Sequence, residues 1–154
     1  MRIAVLADTH VNQLEYLPKK TIDALSTVDL IIHAGDFTDA QLLRELKALR
    51  EVKAVHGNMD SRELKSILPA KEIVEARNKR IGMTHGSGAP WGIEERVRKV
   101  FESDRIDIIV YGHSHRSQNQ VINDILFFNP GKATDSFGII TIDGEVKGEI
   151  ISSR

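Results

Sequence analysis

The sequence predicts an α/β (α+β) fold, and three observations support that prediction. Short apolar runs of strand length recur from residue 2 onward, helical apolar periodicity separates the first of these runs, and clustered turn residues mark the last third of the chain. The first half therefore has the pattern of a parallel sheet with helices, and the second half that of an antiparallel sheet. Two packed sheets with helices outside, or one mixed sheet, would satisfy both halves.

The first half is predicted to form a β-α-β-α-β run with parallel strands and right-handed crossovers. Its strands are placed at residues 2–7, 29–34 and 52–56, and its helices at residues 12–27 and 39–50. Pro18 is placed in the first turn of the first helix, and Thr38 is placed as the N-cap of the second. The second helix has an apolar stripe that we assign to the core: Leu42, Leu43, Leu46 and Leu49.

After residue 57 the pattern changes. A short helix at 61–68 ends before Pro69, and two strands at 71–76 and 79–84 meet around Asn78. A helix at 93–102, whose charged face we assign to solvent, precedes a buried strand at 107–111. The remaining strands are predicted to form a β-meander, at residues 118–122, 125–128, 137–141 and 146–150. No linker or repeat interrupts the pattern, so we expect one domain over residues 1–154.

Composition excludes several classes of site and partner. The chain has no cysteine, so any metal site must use nitrogen and oxygen ligands. The formal charge is −1, which gives no case for binding a nucleic-acid polymer. The first apolar run is too short for a signal peptide and no run approaches membrane-spanning length, so we expect a cytoplasmic protein without membrane contact.

Metal-ligating residue types follow five of the predicted strands. The motifs are Asp8-Thr9-His10, Gly35-Asp36, Gly57-Asn58, His85-Gly86 and Gly112-His113-Ser114-His115. Ligands of open α/β sheets bind beyond the carboxyl ends of strands. In an extended backbone His113 and His115 would project to the same side. A pair of solvent-facing loop histidines is the alternative, but all six histidines of the chain lie at or next to these strand ends.

The candidate ligands are four imidazoles, two carboxylates and one amide: Asp8, His10, Asp36, Asn58, His85, His113 and His115. This set is too large for one tetrahedral zinc ion and suits two divalent ions that share a carboxylate. Two such ions with both aspartates and a hydroxide leave a charge of about +1, which attracts phosphate. Calcium and magnesium prefer more oxygen ligands. We expect Mn²⁺ first, with iron, nickel, cobalt and zinc as alternatives.

In their order and spacing, the five motifs resemble those of the calcineurin-like metallophosphoesterases, and among them the small single-domain bacterial and archaeal phosphodiesterases. The resemblance covers residues 1 to about 131 and implies a two-sheet β-sandwich flanked by helices. It implies a first metal ion on Asp8, His10 and His115, a second on Asn58, His85 and His113, and Asp36 as the bridge. A bridging hydroxide would then attack phosphorus in line, with Asp36, Asn58 and His10 as the catalytic residues.

One position departs from the family pattern. Many members have a histidine after the Gly-Asn pair, where this chain has Met59. Methionine cannot transfer a proton, so the resemblance implies a preference for small phosphodiesters with activated or nucleotide-like leaving groups. His56 and Met59 are the candidate substrate-binding residues, although a structural role for His56 is at least as consistent with its position.

Two other functions stay open at this point. The fold also serves as a non-catalytic protein-interaction scaffold in a retromer subunit that resembles these enzymes. A metallo-amidohydrolase also uses a His-x-His pair, but its barrel needs about 250 residues. His33 is predicted to be a hydrogen-bonded buried residue, and Asp60 to orient a neighbouring group or cap the helix at 61–68. Exposed C-terminal strands could pair copies into a homodimer or larger assembly.

Overall fold

The computed structural model describes all residues, Met1–Arg154, and contains two five-stranded mixed sheets. The first sheet comprises β1 (Arg2–Leu6), β2 (Leu30–His33), β3 (Val52–Ala54), β9 (Ser136–Asp143) and β10 (Glu145–Ser152). The second comprises β4 (Lys71–Ala76), β5 (Lys79–Thr84), β6 (Ile108–Val110), β7 (Gln118–Ile122) and β8 (Ile125–Asn129). The strand orders are β10-β9-β1-β2-β3 and β4-β5-β6-β8-β7.

The two sheets pack face to face, because alternate residues of each strand point to opposite faces. Ile3 and Val5 of β1 point inward to a core shared with β5, β6 and β8 of the other sheet. Ala4 and Leu6 point outward to a second core beneath the helices. The result is a β-sandwich flanked by helices, which confirms the predicted fold class.

Four helices cover the outer faces: α1 (Lys19–Leu25), α2 (Ala40–Leu49), α3 (Arg62–Ile67) and α4 (Ile93–Val100). The first three contribute buried side chains to the core outside the first sheet. Helix α4 packs Ile93 and Val97 against Tyr111 and Phe127 of the second sheet. No helix combines the length and the apolar character needed to cross a membrane.

Two predictions about the first helices are wrong. Residues 12–17 do not join α1; they form a 3₁₀ turn at Leu14–Tyr16, and the helix begins only after Pro18. Leu17 before the proline is extended, as steric contact with the proline ring favours. Thr38 is not the N-cap of α2. Asp39 has that role, and its side chain accepts a hydrogen bond from the Gln41 N–H at 2.7 Å.

The predicted C-terminal β-meander is also wrong. The last four strands form two hairpins that belong to different sheets. Strand β8 pairs in parallel with β6, whereas β9 pairs antiparallel with β1. Each half of the chain therefore contributes to both sheets, and neither sheet is purely parallel or antiparallel.

Candidate metal centre

The predicted ligands gather where the parallel strands of both sheets end. Loops after β1, β2 and β3 supply Asp8, His10, Asp36 and Asn58, and loops after β5 and β6 supply His85, His113 and His115. Backbone hydrogen bonds fix these loops to one another. The Asp8 N–H donates to the Gly35 carbonyl at 3.0 Å, and the Gly112 N–H donates to the His85 carbonyl at 3.0 Å. One site thus joins the two sheets.

A buried group forms the floor of the site. Asp8, Asp36 and His85 are each less than 5% exposed, and their ligand atoms lie close enough to share one cation. The Nε2 atom of His85 is 3.3 Å from Asp36 Oδ2 and 3.8 Å from Asp8 Oδ1. We call these three residues the inner group.

A second group shares Asp8 and opens toward solvent. His115 Nε2 lies 3.4 Å from Asp8 Oδ1, and His10 Nε2 lies 4.0 Å from the same oxygen. His10 Nε2 is also 3.8 Å from Asp36 Oδ2. The side chain of His115 is 47% exposed and that of His10 is 27% exposed. Asp8, His10 and His115 are the outer group, and a cation would also fit among their ligand atoms.

Asn58 and His113 complete the rim. Asn58 Oδ1 lies 3.3 Å from His113 Nδ1, while His113 Nε2 lies 2.9 Å from the Gly88 carbonyl. Both of these oxygens can only accept, and a neutral imidazole carries one proton. With that proton on Nε2, toward the nearer Gly88 carbonyl, His113 Nδ1 and Asn58 Oδ1 both remain as ligand atoms. By the same reasoning the Ala34 carbonyl, 2.7 Å from His85 Nδ1, leaves His85 Nε2 free. The free nitrogen of His85 faces Asp8 and Asp36, and that of His113 faces Asn58.

Unpartnered polar atoms show that the arrangement suits cations. Four buried side-chain nitrogen or oxygen atoms have no hydrogen-bond partner, and three of them are Asp8 Oδ1, His10 Nε2 and His85 Nε2. Such atoms are costly to bury unless something binds them. All three can accept and belong to the two groups whose ligand atoms lie close together, as ligands of a divalent ion would.

Without a cation, the site holds its charge unfavourably. Burial, reinforced by the charge of Asp36, outweighs the attraction of His85 and raises the pKa of Asp8 to about 7. Burial also acts on Asp36, but the charge of nearby His85 and the hydrogen bond from the Met59 N–H outweigh burial and lower the Asp36 pKa. Burial lowers the pKa of His85, but the nearby carboxylates of Asp36 and Asp8 outweigh burial and raise it. A bound cation would favour the charged carboxylate of Asp8 and the neutral imidazoles.

The ligand loops use a strained backbone. Asp8, His10, Asp36, His113 and His115 all have φ between 49° and 65°, in the left-handed region. The expectation that an extended backbone aligns His113 and His115 is therefore wrong, since left-handed turns bring their rings to the site. Neighbouring glycines make room for these turns; a Cβ on Gly57 would collide with the carboxylate of Asp36.

The chain is similar in sequence to proteins of a known superfamily. Residues 1–143 match the calcineurin-like phosphoesterase superfamily domain. A probable metallophosphoesterase of Methanocaldococcus jannaschii is 41% identical over 136 residues, which cover 87% of this chain and 69% of the relative. The chain belongs to the calcineurin-like phosphoesterase superfamily.

Other relatives of this phosphoesterase differ in what their names say. A second M. jannaschii protein, named a phosphodiesterase, is 27% identical over 86% of this chain and 84% of its own length. A Thermotoga maritima protein solved by NMR superposes with a TM-score of 0.78 at 33% identity, covering 98% of each chain. Zinc-bound Vps29 of Entamoeba histolytica superposes with a TM-score of 0.78 at 26% identity, covering 100% of both.

Two residues predicted to support this phosphoesterase site do so. Asp60 accepts hydrogen bonds from the N–H groups of Gly57, Asp36 and Thr38 at 2.7, 3.0 and 2.8 Å. It orients the ligand loops, while Ser61 caps α3. His33 is fully buried and lies 3.1 Å from the Thr9 hydroxyl, and it accepts from the Gly35 N–H at 3.1 Å.

Two supporting residues escaped prediction. Arg96, assigned to a solvated face, is half-buried, and its guanidinium binds the carbonyls of Ser87, Ala89 and Trp91. It thereby fixes the loop whose Gly88 carbonyl orients His113. Asn129 is fully buried and donates to the Gly112 carbonyl at 3.0 Å, beneath the His-x-His loop. The turn-forming sequence Asn129-Pro130-Gly131 could have indicated Asn129. Arg96 could not be found in this way, because it stands among other charged residues of the same helix.

The two candidate substrate residues lie beside the rim. Met59 is 59% exposed, and its N–H donates to Asp36 Oδ1 at 2.9 Å. His56 is half-buried, with Nδ1 3.4 Å from the Gly57 carbonyl. Trp91 is 75% exposed on the loop that Arg96 binds. An open, partly apolar surface therefore borders the ligands.

Proposed function

We propose that this phosphoesterase is a phosphodiesterase with a dinuclear metal centre. The single observation that carries the proposal is the pair of ligand groups that overlap at Asp8 and contain three unpartnered buried atoms. Membership of the superfamily supports phosphoester hydrolysis, and the phosphodiesterase name of one relative supports the diester. We also propose that residues 1–154 act as one metallophosphoesterase domain.

We assign the first ion to Asp8, His10 and His115, the second to Asn58, His85 and His113, and the bridge to Asp36. Zinc in the related Vps29 structure supports metal binding by this fold; for this chain Mn²⁺ remains our prediction, with iron, nickel, cobalt and zinc as alternatives. When bound, two divalent ions would supply Lewis acidity that lowers the pKa of water, favouring a hydroxide for in-line attack, and that stabilises charge on phosphorus.

The chain's own residues position these ligands. Asp36 Oδ1 accepts from the Met59 N–H, which leaves Oδ2 facing His10 and His85. The carbonyls of Ala34 and Gly88 hold the protons of His85 and His113 away from the centre. These three residues therefore present acceptor atoms that are already oriented, and they need little reorganisation when cations and a phosphate enter.

The residue at position 59 determines which leaving groups suit the site. Methionine cannot donate a proton, so an alkoxide of high pKa would leave without assistance. We therefore propose that small diesters with acidic or nucleotide-like leaving groups are the substrates, with Met59 and His56 contacting the leaving group. The dependence of rate on leaving-group pKa checks this: a rate that does not change across a series of aryl diesters would contradict it.

A non-catalytic scaffold is the second candidate, favoured by similarity to Vps29, a vacuolar protein sorting protein. Every expected ligand is present in this chain, which favours the enzyme. Assembly into a homodimer or larger form stays a prediction.

The test is metal-dependent hydrolysis. The protein is stripped with chelator, restored with Mn²⁺, and assayed on bis-p-nitrophenyl phosphate beside p-nitrophenyl phosphate. We expect diester cleavage that requires metal and that Asp36→Asn lowers by about a thousandfold, since metal-ion stabilisation supplies several kcal/mol. Asp124→Asn, on an exposed turn between β7 and β8, is the matched control and should be unchanged.

Two other outcomes are informative. No turnover of either ester with two metal ions bound would move the assignment to the scaffold. No metal bound at all would show that the ligand assignment is wrong.

A further inference from the structure

A second polar cavity lies at the opposite end of the second sheet. It has a volume of about 300 Å³ and no hydrophobic residue lines it. Six charged side chains surround it: Glu75, Arg77, Lys79, Arg80, Arg105 and Asp107. Lys79 begins β5 and Asp107 directly precedes β6, so the cavity opens where these strands start. The candidate metal ligands lie where the same strands end.

The charges of this cavity are unbalanced. Four cationic side chains face two carboxylates, and none of the four forms an ion pair with either carboxylate. Asp107 already accepts a hydrogen bond from the Arg80 backbone N–H at 2.8 Å. Crowding of like charges around a concave surface favours binding of an anion.

Arg80 provides an independent observation. Its Nε atom is buried and has no hydrogen-bond partner; it is the fourth such atom in the structure, and the only one away from the metal ligands. A guanidinium offers a planar fork of donors that matches the oxygens of phosphate. Because no acceptor of the chain binds this Nε atom, the positive charge of the Arg80 guanidinium is not offset within the chain, which favours an anion in the cavity that Arg80 lines.

We propose that this cavity binds a small multivalent oxyanion of the phosphate class, such as inorganic phosphate or diphosphate. The excess of two positive charges matches a dianion. The absence of apolar or aromatic lining argues against a nucleobase, which binds by stacking. Arg80 binds the anion directly, and Arg105, Arg77 and Lys79 neutralise its charge.

This site is separate from the candidate metal centre. Strand β5 runs from Lys79 to Thr84, and at about 3.3 Å per residue roughly 16 Å of strand lies between the two ends. The inference does not depend on the proposed phosphodiesterase activity. Asp36→Asn, which should abolish hydrolysis, should bind the anion like the wild type.

The test is a titration of the full chain, metal-loaded as isolated, with inorganic phosphate and then diphosphate at constant ionic strength. Binding is followed by calorimetry and by backbone amide chemical shifts. We expect saturable shifts centred on Arg80 and Asp107, with diphosphate binding more tightly than phosphate. Shifts confined to the metal-ligand loops, or identical shifts with chloride, would overturn the inference.

Variants give the second readout. We expect Arg80→Gln to weaken binding by about tenfold or more, the size of one charge-assisted hydrogen bond. Arg80→Lys keeps the charge but loses the planar fork of donors, so its affinity for the anion should lie between those of Arg80→Gln and the wild type. Lys147→Gln, on β10, is the control and should bind normally. Unchanged affinity in both Arg80 variants, each folded by its amide spectrum, would refute the role of this cavity.

Discussion

The inner and outer ligand groups of the candidate centre share Asp8 but are held in different ways. Asp36 and His85 of the inner group are buried, and each side chain forms a hydrogen bond with backbone, Asp36 with the Met59 N–H and His85 with the Ala34 carbonyl. His10 and His115 of the outer group are partly exposed, and neither ring has a hydrogen-bond partner in the chain. The contrast teaches that the core holds the ligands of the inner group, whereas the two histidines of the outer group lie at its surface. An ion in the inner position should bind more tightly and exchange more slowly.

The largest expected effect separates the two positions directly. His85→Asn should lower Mn²⁺ affinity by about a hundredfold or more, because it removes a buried ligand that water cannot easily replace. His115→Asn should cost about tenfold, because water can replace an exposed ligand. Metal content after dialysis and calorimetric titration measure both. Equal losses in the two variants would remove the distinction between the groups.

A second prediction concerns the support beneath the inner group. Asp60→Asn should destabilise the protein by about 2 kcal/mol and lower metal affinity about 10- to 100-fold, because an amide cannot accept all three N–H donors now bound. Denaturant unfolding and metal titration are the measurements. Asp39→Asn is the control, since asparagine is an equally good helix N-cap. Similar effects at both positions would show that Asp60 has no special role.

The rim provides a third, smaller prediction. Arg96→Gln should leave stability within about 1 kcal/mol and weaken the metal position that uses His113 by about tenfold, the lower limit for a group that orients a ligand. Faster amide exchange in residues 87–92 should accompany the loss. Arg98→Gln, on the same helix, should change neither the metal affinity nor the amide exchange of residues 87–92. A normal loop with weakened metal binding would mean that Arg96 acts in some other way.

The last prediction is a pH dependence of stability beneath the inner group. Burial, with help from the charge of His85, lowers the pKa of His33 to about 3. Because the unfolded chain takes up this proton near 6.5, His33 contributes stability above that pH, and the contribution is lost as pH falls toward 3. Asp8 has the opposite effect in the metal-free chain. Its pKa is raised to about 7, so its contribution to stability increases as pH falls from 7 to 3.8.

The difference between wild type and His33→Gln isolates the histidine. Measured without metal, the wild type should lose stability relative to the variant by up to about 1.4 kcal/mol per pH unit on acidification below 6.5. Urea unfolding at several pH values is the measurement. Parallel stability curves would contradict a neutral His33.

Sequence reasoning reached the ligands more easily than the framework around them. Asp8, Asp36 and His85 each follow a buried strand, and the carboxyl ends of parallel strands meet, so their convergence could be foreseen. The pairing of β8 with β6 and of β9 with β1 could not, since both C-terminal hairpins have the same alternating pattern and sheet partners are distant in sequence. Arg96 was missed for a related reason: its contacts are with backbone carbonyls, which no side-chain pattern reveals.

The left-handed backbone at five ligand positions has an evolutionary consequence. Non-glycine residues there cost about 1–3 kcal/mol each, held in place by the surrounding fold. Replacing one of them with glycine would relieve strain while removing a ligand. A descendant under no selection for catalysis would therefore gain stability by drifting away from metal binding, and its sandwich would remain available for another task.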